Sequence, residues 1–258
     1  MSTKESYADK IAKLLRKAES TTPEEAELLF AKAQELMTKY AIDEAMLNAA
    51  RGTSREKEPI AHEEFVVVGQ YRAALMYLTW YIMLNNGLKG IQLNSPGWRK
   101  VGEKVYKENI VLMAVGFKSD VDAARLLATS LELQAYRAES VWWKENSHLY
   151  VGDGRQTRLI RRGFFMAFAE GVNVKLKEAT RRGKEAAEEE HGRTGVELVL
   201  RDKSLAVADE FSKLYPSVRS KKSRQDQGDA YARQHGYAAG QNADVGQPSI
   251  RGQKSINR

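Results

Sequence analysis

A helix-rich α+β protein is the fold class that the sequence predicts, and three observations lead to it. Several long stretches repeat apolar residues at the i, i+4, i+7 spacing of one helical face. Residues 110–117 (IVLMAVGF) are instead apolar on both alternating faces, which is typical of a central strand covered on both sides. Clusters of glycine, proline and asparagine separate these stretches. The sequence therefore predicts a small sheet packed by long helices.

The first 50 residues predict a helical hairpin module. Apolar residues recur at helical spacing over residues 7–18 and again over residues 26–40. Between these stretches, Thr22 and Glu25 have the spacing of a capping box that begins the second helix. Each helix has an apolar stripe that must be buried, so we expect the hairpin to pack against another part of the chain.

An α+β domain is expected over residues 62–216, after a polar linker at residues 51–61. Its predicted elements are a strand at 65–68, a helix at 70–85, strands at 88–93 and 110–117, a long helix capped by Ser119 and Asp122, a long helix at 155–190, a strand at 196–200 and a helix at 204–214. Glycines at 163, 171 and 183 predict that the second long helix kinks or divides. Residues 217–258 read as a basic polar tail with one short helical stretch.

Composition excludes several kinds of site. The chain has no cysteine, which excludes disulfides, thiolate zinc sites, iron–sulfur clusters and a cysteine nucleophile. Its four histidines are widely spaced, so neither a metal nor another cofactor is expected. The longest apolar stretch, residues 73–84, is shorter than the roughly 20 residues that span a bilayer, and the N-terminus lacks a signal-peptide pattern. We expect a cytoplasmic protein of a bacterial or phage-infected cell, with no membrane partner.

Positive charge is concentrated in the C-terminal part of the chain. The net charge is +7, yet residues 1–154 hold 20 basic and 21 acidic side chains, whereas residues 155–258 hold 21 basic and 13 acidic ones. Guanidinium groups on a rigid helix neutralise phosphates, so we expect DNA or RNA as the partner of this region, with glycine 163 letting its backbone approach. The candidate phosphate-binding residues are Arg155, Arg158 and Arg162 on one helical face, Arg181 and Arg182 further along, and Lys221, Lys222 and Arg224 in the tail. Tyr231 and Tyr237 are candidates for stacking on bases.

Other interpretations of the same residues stay open. The basic helix is equally typical of a solvated face that pairs with acidic side chains. A protein–protein interaction module, or self-association, would use the hairpin or an exposed Trp143 as its interface. An enzyme would need carboxylates that converge only in the fold, because no nucleophile motif is present. Residues 152–154 (GDG) favour a plain turn over a phosphate loop.

The N-terminal segment resembles a known family. The match lies in residues 10–43, carried by KIAKLL, AKAQELM and Tyr40, and it resembles the bacterial and phage family named domain of unknown function 2786. Residues 115–127 and 161–172 resemble the α+β region that usually follows this domain. The resemblance implies a helical hairpin ahead of an α+β domain, and it implies no catalytic residues.

Overall fold

A computed structural model describes residues 58–93, 97–107, 109–218 and 228–243. The predicted hairpin and residues 51–57 of the linker lie outside these residues. The elements are β1 (Ile60–Val68), α1 (Arg72–Asn85), β2 (Lys89–Leu93), β3 (Arg99–Val101), β4 (Lys104–Tyr106), β5 (Asn109–Phe117), α2 (Lys118–Asn146), α3 (Gly154–His191), α4 (Arg193–Leu214) and α5 (Ala230–Asn242). The described part of the chain is thus a helix-rich α+β unit, as expected from the sequence.

The main sheet has three antiparallel strands in the order β1-β5-β2. The prediction of a central strand covered on both sides is confirmed for β5. On one face, Leu112 and Ala114 are buried in the main core, and on the other face Val111 and Val115 are buried as well. Helix α4 lies against β5, which explains why its apolar residues do not alternate with polar ones.

Helix α3 runs through the centre of the fold. Its residues from Phe164 to Ala169 are all buried, so this part of the helix is enclosed on every side. Phe165 stacks on Tyr71 with ring centroids 4.7 Å apart, and Phe164 stacks on Trp142 at 5.1 Å. Despite this apolar stretch, no helix within the described ranges is long and apolar enough to cross a membrane.

Gly171 of α3 lies at a close helix crossing, and the predicted division of this helix is wrong. The helix is continuous from Gly154 to His191, and it packs extensively on α5. A Cβ atom on Gly240 of α5 would lie 2.9 Å from the carbonyl carbon and 3.0 Å from the Cα atom of Phe168. Gly171 in turn faces the backbone around Gly240. Glycine therefore allows the two backbones to approach more closely than any side chain permits.

The predicted apolar stripe of α2 is confirmed, with one charged residue among its buried positions. Leu127, Leu131 and Trp142 are buried as expected, but Glu139 is also only 1% exposed. Its carboxylate accepts two hydrogen bonds from the guanidinium of Arg161 on α3, one of them 2.8 Å long. A buried charge needs such a partner, so this ion pair fixes how α2 and α3 are positioned.

Two local predictions are wrong. Residues 196–200 belong to α4 and do not form a strand, because Val196 and Val199 are buried at helical spacing. Ser119 does not cap α2 with its side chain. Its backbone N–H instead donates to the carboxylate of Glu58 at 2.6 Å, so a residue far away in the sequence satisfies this end of the helix.

Part of the segment assigned to the polar tail packs in the core. Helix α5 is capped at its N-terminus by Asp229, whose carboxylate accepts the backbone N–H of Ala232 at 2.8 Å. Ala232 and Ala243 are buried members of the main core. The domain boundaries stay predictions, but residues 228–243 contribute to the folded unit.

Candidate nucleic-acid interface

The free backbone N–H groups at the start of α3 are satisfied by the N-cap residue Asp153. The carboxylate of Asp153 accepts the backbone N–H groups of Arg155 and Gln156, both at 2.9 Å. These N–H groups are the ones that would otherwise bind an anion at a helix N-terminus. The arrangement fits the turn predicted for residues 152–154, so any phosphate contact here must come from side chains.

Arg155 and Arg158 are the accessible arginines at the start of α3. Both are exposed, and within the described ranges neither forms an ion pair with a carboxylate. Arg162 follows on the same face and is half-buried. One turn later this face continues into Phe165 and Met166, which are buried. The basic face is therefore limited to the first two turns of α3.

Arg161 has a structural role instead. Besides its bond with Glu139, its guanidinium lies 5.5 Å from the ring centroid of Tyr71 and 5.4 Å from that of Trp143. Aromatic faces attract a cation at such distances. This arginine therefore connects α2 and α3 to the start of α1, and it anchors the helix that carries Arg155 and Arg158.

The second predicted cluster lies apart from the first. Arg181 and Arg182 are exposed, but Arg181 pairs with Glu185 at 2.6 Å, and Arg182 pairs with Glu178. They lie 23 residues beyond Arg158 in one continuous helix, which corresponds to about 35 Å along its axis. The structure thus does not bring the two clusters together. Lys221, Lys222 and Arg224 lie outside the described residues.

Gly163 does not offer an approach to a nucleic-acid backbone, so that expectation is wrong. It is buried, and a Cβ atom there would lie 3.6 Å from the backbone nitrogen of Asp229 and 3.7 Å from the Cα atom of Gly228. The two tyrosines proposed for stacking are exposed on α5. Tyr231 packs on His235 at 4.4 Å between ring centroids, whereas the Tyr237 hydroxyl accepts a hydrogen bond from Gln241.

Trp143 is half-buried, so it does not present a fully exposed ring to a partner. It stacks on Tyr150 with ring centroids 5.7 Å apart and an interplanar angle of 16°. Its neighbour Trp142 is buried in the core. The remaining accessible part of Trp143 keeps it a candidate contact, at the edge of a packed aromatic cluster.

Tyr71 and Tyr136 both pack on Phe165 of α3, with ring centroids 4.7 and 5.1 Å away. Burial raises the pKa of Tyr71, whereas the positive charges of Arg161 and Arg158 oppose that rise. Burial, with smaller contributions from Glu132, Tyr71 and Tyr106, raises the pKa of Tyr136 to about 12. Because the ordinary pKa of tyrosine is already about 10, both hydroxyls are neutral near pH 7.

The antiparallel ribbon of β3 and β4 is an element that the sequence prediction missed. Its two strands have three residues each and pair as Arg99 with Tyr106, Lys100 with Val105 and Val101 with Lys104. Gly102 in the connecting turn has φ +59°, a conformation that glycine adopts without strain. The available signal was the alternation of basic and β-branched residues around this glycine, which is too short for a periodicity argument.

The described residues contain no candidate metal site, and the pKa shifts of two of their carboxylates have other causes. These residues contain no group of three or more His, Asp or Glu side chains placed to hold a metal ion. The hydrogen bond from Arg125 lowers the pKa of Glu63, and burial raises the pKa of Glu132. Neither shift comes from a second carboxylate.

Glu132 gives a prediction for the pH dependence of stability. Its carboxyl group is half-buried without a hydrogen bond or ion pair to another described residue, and burial raises its pKa. Because the folded-state pKa is raised, the ionised form is disfavoured and its cost appears as pH rises above the unfolded-state pKa. Glu132→Gln is therefore expected to raise the unfolding free energy at about pH 7 and to have little effect at about pH 4.

Urea unfolding of both proteins at the two pH values measures this difference. The exposed Glu145→Gln variant on the same helix is the matched control, with little change expected at either pH. An equal effect of Glu132→Gln at both pH values would contradict the assignment.

Comparison with known proteins finds a similarity for the N-terminal segment. Residues 6–44 match the family model described as protein of unknown function (DUF2786). This segment is therefore similar to the DUF2786 family. No curated protein and no solved structure matches the chain. The DUF2786 match confirms the resemblance found at residues 10–43, and it ends before the α+β unit that carries the arginines.

Proposed function

We propose that this DUF2786-containing protein is a non-enzymatic, nucleic-acid-associated protein that contacts phosphates through Arg155 and Arg158. The observation that supports this most directly is their exposure without a carboxylate partner in the described part of the chain, on a helix whose next turns are buried. Guanidinium groups form paired, charge-assisted hydrogen bonds with phosphate oxygens. Two such groups, 3 residues apart on one face, can contact neighbouring phosphates of one backbone.

The helix holds these arginines in a preorganised position. Phe164 and Phe165 are each 1% exposed, and Arg161 is bonded to Glu139 immediately after the exposed turns. A rigid support reduces the conformational entropy that is lost on binding. Arg162, on the same face, and the tail residues Lys221, Lys222 and Arg224 add positive charge in this proposal.

The second cluster has a smaller part in the proposed binding. Arg181 and Arg182 must exchange their glutamate partners for phosphates. The cost of this exchange is small, because an exposed ion pair at this helical spacing contributes only about 0.3–0.5 kcal/mol to stability. The adjacent negative charges also lower the local positive potential. We therefore expect these residues to affect affinity less than Arg155 and Arg158.

Binding through phosphates carries a consequence for specificity. Phosphate contacts fix the position of a protein on a nucleic acid but contain no sequence information. We propose weak sequence preference and strong dependence on salt, in the cytoplasm of a bacterial or phage-infected cell. The alternative proposal, a protein–protein module that uses the hairpin or Trp143, predicts association that salt affects little.

The experiment compares two charge-matched double variants of the full chain by fluorescence anisotropy with a labelled duplex. At about 50 mM salt, Arg155→Gln/Arg158→Gln is expected to weaken binding by at least about tenfold, because two phosphate contacts are lost. Arg181→Gln/Arg182→Gln removes the same charge and is expected to weaken it less. An equal loss in both variants would show that only net charge matters and would overturn the assignment to Arg155 and Arg158.

A further inference from the structure

The tip of the β3–β4 ribbon, residues 100–105, projects from the folded unit. Every residue from Lys100 to Val105 is exposed. Cross-strand pairing places Lys100 beside Val105 on one face of the ribbon. Val101 lies beside Lys104 on the other face. Within the described ranges, neither strand packs extensively on any element except its partner strand. Both faces of this ribbon tip are therefore accessible to another molecule.

The ribbon carries positive charge that the described part of the fold does not neutralise. Residues 99–108 contain four basic and two acidic side chains. Lys100, Lys104 and Lys107 are exposed, and none of them forms an ion pair with another described residue. Lys118, at the start of α2, instead pairs with two carboxylates. The ammonium groups of the three ribbon lysines are therefore available to an anionic partner.

The base of the ribbon is fixed to the main sheet. Asn109, the first residue of the central strand β5, lies at this base. Its Nδ2 group donates to the carbonyl oxygens of Gly97 at 2.7 Å and of Tyr106 and Lys107 at 3.2 Å. These bonds join the two ends of the ribbon to the strand at the centre of the sheet. The ribbon tip is therefore presented in a preorganised position, which reduces the entropy lost on binding.

The dimensions of the ribbon match one groove of a nucleic acid. The major groove of B-form DNA is about 12 Å wide and 8.5 Å deep, and it admits a two-stranded β-ribbon. Paired strands lie about 4.8 Å apart, and a strand of three residues, as in β3 and β4, is about 10 Å long. The major groove of an RNA duplex is narrow and deep, and protein side chains cannot read it. The ribbon therefore fits a DNA duplex and not an RNA duplex.

We propose that the ribbon tip enters the major groove of a DNA duplex, where Lys100, Lys104 and Lys107 contact the phosphates that border the groove. The inference rests on the proposed function and names B-form DNA as the partner. Glu103, in the connecting turn, faces the base edges in this placement, where the amino group of cytosine donates to carboxylates. Val105, which is 57% exposed, suits the methyl group of thymine in the same groove.

The test compares a labelled DNA duplex with an RNA duplex of the same sequence, by fluorescence anisotropy of the full chain at about 50 mM salt. The wild type is expected to bind the DNA duplex more tightly. Lys100→Gln/Lys104→Gln is expected to weaken DNA binding by at least about tenfold and to leave RNA binding nearly unchanged. Because both lysines are exposed, this variant is expected to fold normally, as checked by thermal unfolding.

Arg155→Gln/Arg158→Gln removes the same charge and separates this inference from the proposed function. It is expected to weaken binding of both duplexes by similar factors, because phosphates are common to them. The ribbon proposal alone would be overturned if Lys100→Gln/Lys104→Gln weakened both duplexes equally or neither, or if the wild type did not prefer DNA. Failure of the wild type to bind either duplex would overturn the proposed function and this inference with it.

Discussion

The Glu139→Ala variant is expected to lose about 3 kcal/mol of unfolding free energy. Glu139 is 1% exposed, and its removal leaves Arg161 without its carboxylate partner between α2 and α3. Breaking one side of a buried ion pair typically costs about 3–5 kcal/mol, and the lower end applies because the Arg161 side chain is 29% exposed. Urea unfolding followed by circular dichroism measures the loss.

A double replacement tests whether this loss comes from the unpaired charge. In Glu139→Met/Arg161→Met, no charge remains in the interface and the side-chain volumes are similar. Such apolar replacements of buried pairs are often neutral, so the double variant is expected to recover most of the stability. A loss below about 1 kcal/mol in Glu139→Ala would mean that the pair is solvated and does not fix the helices.

The Gly240→Ala variant is expected to be destabilised by about 3 kcal/mol, the upper end for overpacking in a core. A Cβ atom on Gly240 would overlap with the carbonyl group of Phe168, and this contact is with backbone that no rotamer change can move. Helix α5 would have to move away from α3 and give up the burial of Ala232 and Ala243. Thermal unfolding of the full chain measures the effect.

Gly154→Ala is the matched control for that substitution. Gly154 is the first residue of α3, and a Cβ atom there meets nothing within 4 Å. The alanine reduces the freedom of the unfolded chain, so this variant is expected to be neutral or slightly more stable. Similar stability of the Gly240→Ala and Gly154→Ala variants would contradict the close crossing of α3 and α5.

Periodicity predicted the elements whose apolar pattern is long. The stripe of α2 around Leu127 and Leu131 and the doubly apolar β5 were identified because many positions agree with one geometry. The run at residues 196–200 is short and rich in β-branched residues, so strand propensity was misleading where tertiary packing selects a helix. The ribbon of β3 and β4 was missed for the same reason of length.

Contacts between distant residues could not be predicted from one sequence. The cap that Glu58 provides to Ser119 joins residues 61 positions apart. The glycine at position 171 of α3 is explained only by the backbone of α5, which lies far along the chain. The same limit applies to the candidate site. Helical spacing placed Arg155, Arg158 and Arg162 on one face of α3. It could not show that this face becomes buried after two turns.

The salt dependence of nucleic-acid affinity tests the central claim most directly. The wild type and Arg155→Gln/Arg158→Gln are titrated with a labelled duplex between about 50 and 200 mM salt. Each phosphate contact contributes about 0.9 to the slope of log affinity against log salt concentration, so the variant slope is expected to be shallower by nearly 2. Identical slopes in the two proteins, or no binding by the wild type at the lowest salt, would contradict phosphate binding by these arginines.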